Sequence, residues 1–157
     1  MVRAVLGVIG GYLSVAMIVF TSFSLAFFAM GPDRAYQPGS YEVSTTWLAV
    51  SIVLTIIAAL LGGWICALIA KPGSKAPLVL AGVVLVLGLV SAAFGMQMDD
   101  PGLRAEDVGV LEAMQESRQP VWLLFLNPVI GAVGVLLGAK LRKAPGAVPS
   151  DKPEARA

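Results

Sequence analysis

Four uncharged runs dictate what this chain can become. They cover positions 4–32, 43–70, 76–98 and 119–139, and are 29, 28, 23 and 21 residues long. A helix rising 1.5 Å per residue needs roughly 20 apolar residues to cross ~30 Å of hydrocarbon, so each run is long enough to span a bilayer. Backbone N–H and C=O groups in lipid must bond within their own segment. None of the runs alternates like a barrel strand, which leaves helices. The expected fold is therefore all-α, an integral membrane bundle of four transmembrane helices at about 4–31, 44–70, 77–98 and 120–141. These make one domain over 1–143. Composition points the same way: 57% of residues are hydrophobic and 13% charged, against about 25% charged in a soluble domain.

The first run is too long for the ~7 to 15 residue apolar core of a cleavable signal, so it is read as a retained helix. Lys71, Pro72 and Gly73 close the second helix. Ser44, Thr45 and Thr46 are candidate caps at its start, and Pro120 opens the fourth helix, where a missing N–H costs little. The link over 71–76 is short, which predicts that helices two and three are antiparallel neighbours. The loop over 99–118 begins with Asp99, Asp100, Pro101 and Gly102 and is expected to carry a short surface helix or a solvated acidic connector. The tail over 144–157 holds three prolines and no apolar face, so disorder is expected.

Basic residues set the orientation. With the N-terminus inside, eight of the eleven Lys and Arg residues fall on cytoplasmic segments, and only Arg34, Arg104 and Arg118 fall outside. Both termini are therefore predicted to be cytoplasmic, in a multi-pass protein of a bacterial-type plasma membrane. Net charge of +1 divides between two faces, and nucleic acid is not an expected partner. The expected partner is the lipid bilayer. The basic rim of Lys140, Arg142 and Lys143, with Lys71 and Lys75 nearby, is a candidate contact for anionic lipid.

The chain has no histidine, and its single cysteine, Cys66, lies inside the second run. That removes His-based catalysis, typical zinc sites and an intrachain disulfide, and Cys66 reads as a small packing residue. No cofactor is expected. No ionisable side chain falls inside a span, which argues against proton relays, ion-coupled carriers and intramembrane aspartyl proteases.

The remaining candidates are polar or small. Asn127 is an amide at membrane depth followed by Pro128, whose ring frees a backbone carbonyl one turn earlier. It reads either as an interhelical hydrogen bond or as a polar point on a permeation path, with the first weighted more heavily. The hydroxyls in the spans, Ser14, Thr21, Ser22, Ser24, Ser51, Thr55 and Ser91, are expected to bond their own helix carbonyls. Gly7 and Gly11, Gly62 and Gly63, and Gly131, Gly134 and Gly138 mark faces of close helix approach, as does Gly82. Trp47 and Trp122 are expected as interfacial anchors. The function expected from these features is a noncatalytic packing or accessory membrane subunit, associating with itself or another membrane protein. The alternative is a small channel or carrier for an uncharged or hydrophobic solute.

Overall fold

A computed structural model describes residues 2–97 and 115–142. Within them the protein is all-helical: α1 (Val2–Met30), α2 (Pro32–Ala35), α3 (Thr45–Ile69), α4 (Ala76–Gly95) and α5 (Val121–Leu141). All but α2 are long and apolar enough to cross a membrane. The surface helix considered for 99–118 and the tail at 144–157 lie outside the described residues, save for 115–118.

Helix ends follow their local chemistry. Ser44 caps α3, its hydroxyl accepting the Trp47 N–H at 3.1 Å, which meets one of the donors a helix start leaves unpaired. Gly31 has φ +71° and ends α1 by accommodating the left-handed turn that a residue with a Cβ resists. Pro32 then begins the single turn of α2, an element absent from the sequence reading. α4 ends at Gly95, three residues before the expected limit. α5 runs unbroken through Pro128.

The long helices pack in a ring, in the order α1, α3, α5, α4, with a looser contact between α4 and α1. The consecutive helices α3 and α4 share few contacts. This corrects the expectation that a short link makes them neighbours. The reason is reach: the six residues between Ile69 and Ala76 extend to about 20 Å, whereas the diagonal of four helices spaced 8–10 Å apart is roughly 13 Å. α5 takes the place beside α3 and runs parallel to it, since Ala59 meets Gly134 and Leu60 meets Gly138.

One end of the ring, the turn end, holds the start of α1, the 70–75 link and the end of α5. At the other, the loop end, Tyr36 pairs with Val43 in an antiparallel bridge and Glu42 with Arg118 in a parallel one. Arg118 donates its N–H to the Tyr41 carbonyl at 2.9 Å and accepts from Val43 N–H at 3.0 Å. The chain entering α5 is thus tied to the loop after α1. Beneath it Phe27, Tyr36, Tyr41 and Trp47 form a buried aromatic cluster with Phe23 packed against it, and the edge-to-face ring pairs are 5.9 to 6.2 Å apart. Trp47 turns inward, correcting its reading as an interfacial anchor, while Trp122 is 57% exposed.

Candidate functional site

The glycines expected at close contacts divide among three seams. Gly7 and Gly11 of α1 face α3: a Cβ on Gly7 would lie 3.0 Å from the Cys66 carbonyl oxygen, and one on Gly11 would meet Cys66 and Leu80 side chains at 2.7 Å. Gly62 returns that contact, with Val15 of α1 filling the space its missing Cβ leaves. Its neighbour Gly63 looks the other way, onto the Val135 carbonyl of α5. Successive helix residues point about 100° apart, so the Gly62-Gly63 pair lets α3 approach two partners at one level. On α5, Gly134 lies against the Ala59 side chain and Gly138 against the Leu60 carbonyl, whereas Gly131 is turned toward Val84 of α4.

The α3–α5 seam is the tightest. A Cβ on Gly138 would fall 2.7 Å from the Leu60 carbonyl carbon, and one on Gly63 2.7 Å from that of Val135. Both obstacles are backbone, which cannot swing aside as a side chain can. Cys66, Leu80 and Val135 around this level are fully buried. The assembly is therefore closed at this level. Gly82 departs from expectation: it is exposed, with nothing within 4 Å of the position its Cβ would take. Gly88, which the sequence reading passed over, receives the ring of Pro128, with a Cβ there only 2.6 Å from Pro128 Cγ. Pro128 is thus a buried packing residue between α5 and α4. No signal in the sequence pairs the two, since they lie forty positions apart.

Asn127 lies in the half nearer the loop end. Its Nδ2 donates to Gln119 Oε1 at 3.3 Å, a bond to the residues leading into its own helix. The expected interhelical partner is replaced by this local one. Its Oδ1 is buried with no hydrogen-bond partner. Both amides border a cavity of about 310 Å³ that also takes in Thr55 of α3, Ser91 of α4 and Val15 and Val19 of α1. Residues of all four long helices line the cavity, and toward the turn end its lining stops at Ala59, Val84 and Gly131. Its polar groups are two amides and two hydroxyls. Such groups can donate and accept hydrogen bonds but do not exchange protons near neutral pH. Elsewhere the hydroxyls turn inward on their own helices, Ser14 to the Gly10 carbonyl at 2.7 Å and Ser51 to that of Leu48 at 2.8 Å.

Comparison of the chain with protein-family models, with curated proteins and with solved structures finds no match.

Proposed function

We propose that this chain is a noncatalytic four-span membrane bundle, both termini cytoplasmic, that acts by packing: an accessory or interaction subunit whose partner is a second copy or another membrane protein. The observation that carries the reading is the α3–α5 seam, where Gly63 and Gly138 are held against carbonyl groups. A contact this close favours a fixed assembly over one that rocks open. The residues that face outward on α1, among them Leu13, Met17 and Phe28, are exposed and apolar, as a lipid- or partner-facing helix requires. None of the four uncharged runs holds an ionisable side chain that would drive coupled transport.

A second reading, a carrier for a small uncharged solute, is favoured by the cavity at Asn127 and its unpartnered Oδ1. The cavity is blind toward the turn end, so transport would require α3 and α5 to separate. Flux decides between the two. Purified protein in vesicles should pass small polyols and amides no faster than protein-free vesicles of the same lipid. Accelerated flux that Asn127→Leu abolishes, in variant protein of unchanged melting temperature, would overturn the packing reading in favour of the carrier.

A further inference from the structure

A second cavity lies at the turn end, beneath the 70–75 link where it passes over the end of α5. It has a volume of about 810 Å³. Lys71 and Lys75 of the link, Lys140 of α5 and Arg142 just after it border it, and among the described residues none of the lining is acidic. Arg142 donates to the Ala67 carbonyl at the end of α3, which holds its guanidinium at the cavity wall. The three carboxylates among the described residues, Asp33, Glu42 and Glu116, belong to the loop end.

Helix ends do not neutralise this charge. Each terminus carries roughly half an elementary charge. Two C-termini, of α3 and α5, and two N-termini, of α1 and α4, meet at the turn end and largely cancel. Four side-chain cations then remain around one cavity. Its wall, however, is mostly apolar: Ala67, Leu78 and Leu136 line it, and Leu78 is 61% exposed on the flank of α4. A cationic rim continuous with an apolar flank suits a ligand whose charged and hydrocarbon parts are joined.

We infer that this cavity holds the phosphate headgroup of an anionic phospholipid from the leaflet facing the turn end. The phosphate sits among Lys71, Lys75, Lys140 and Arg142, and the first carbons of the acyl chains run along Leu78 and Leu136. This narrows the lipid contact expected from the sequence to one cavity: Lys71, Lys75, Lys140 and Arg142 line it, and Lys143 lies outside the described residues. Free phosphate uses only the rim. The chain's own tail is a poor occupant, because positions 143–157 carry Lys143, Lys152 and Arg156 against Asp151 and Glu154, a side-chain charge of the same sign as the cavity.

The test uses the full chain in nanodiscs of phosphatidylcholine with increasing phosphatidylglycerol. Tm should rise and saturate at a low fraction of the anionic lipid, as ligand binding to the folded state requires. Lys75→Gln with Lys140→Gln should weaken the apparent affinity about five-fold per charge removed, roughly 25-fold together. Lys75→Arg with Lys140→Arg should retain it, which separates loss of charge from loss of fold. Arg3→Gln, at the same end but outside the lining, should leave it unchanged. The inference fails if Tm is indifferent to phosphatidylglycerol, or if Arg3→Gln weakens binding as much as the lysine pair, since a diffuse surface field would then suffice. It also fails if inorganic phosphate in pure phosphatidylcholine gives the whole effect, or if carbodiimide couples Lys75 or Lys140 to Asp151 or Glu154, which would make the tail the occupant.

Discussion

Gly82 and Gly138 carry the same expectation from sequence: each is a glycine within an apolar run, read as a point of close helix approach. Their surroundings are opposite. The Cβ position of Gly82 meets nothing within 4 Å, and that of Gly138 collides with the Leu60 carbonyl. Gly138→Ala should therefore lower the stability of the detergent-solubilised protein by about 1 to 3 kcal/mol, the usual cost of overpacking a filled contact. Gly82→Ala should cause no loss, since a residue in open space typically changes stability by no more than about 0.5 kcal/mol. Thermal unfolding of the pair reads both outcomes, and equal melting temperatures would remove Gly138 from the seam. The cost of a glycine's replacement is thus set by the partner helix, and periodicity along one helix does not name that partner.

For the same reason the elements themselves were legible where their cause is local and obscure where it is not. Lengths and limits of the spans follow from uncharged runs and from residues such as Ser44, Gly31 and Pro120, whose effects act within one turn. The aromatic cluster at the loop end depends on α2 and the 36–43 bridge bringing Tyr36 and Tyr41 onto Phe27 and Trp47, and no periodic pattern announces that. Trp47 and Trp122 look alike in sequence, each near the start of a span, yet Trp47 is 8% exposed and Trp122 57%. Truncating a buried aromatic ring costs about 3 to 5 kcal/mol, so Trp47→Ala should destabilise the fold by that order, and Trp122→Ala by well under half as much. If both were anchors of the same kind, the two variants would unfold together.

At the level of the whole chain, the structure joins two adjacent pairs, α1 with α3 and α4 with α5, through the α3–α5 seam, and the 70–75 link crosses the diagonal between them. This arrangement sorts charge by end. Arg3, Lys71, Lys75, Lys140 and Arg142 gather at the turn end, while Asp33, Glu42 and Glu116 lie with Arg34 and Arg118 at the loop end. Such an imbalance opposes translocation of the basic end, because short cationic segments are retained on the cytoplasmic side. A reporter active only outside the cytoplasm should give signal when inserted near Tyr36 and none near Ser74. The contributions are separable: replacing Lys71 and Lys75 by Gln weakens retention of the link but leaves Arg3, Lys140 and Arg142, so the pattern should persist. Adding three lysines beside Gln37 in that background places competing charge on the opposite end, and a mixture of orientations is expected. Signal at Ser74 in the unaltered chain would reverse the orientation, and with it the leaflet from which a lipid at the turn end is drawn.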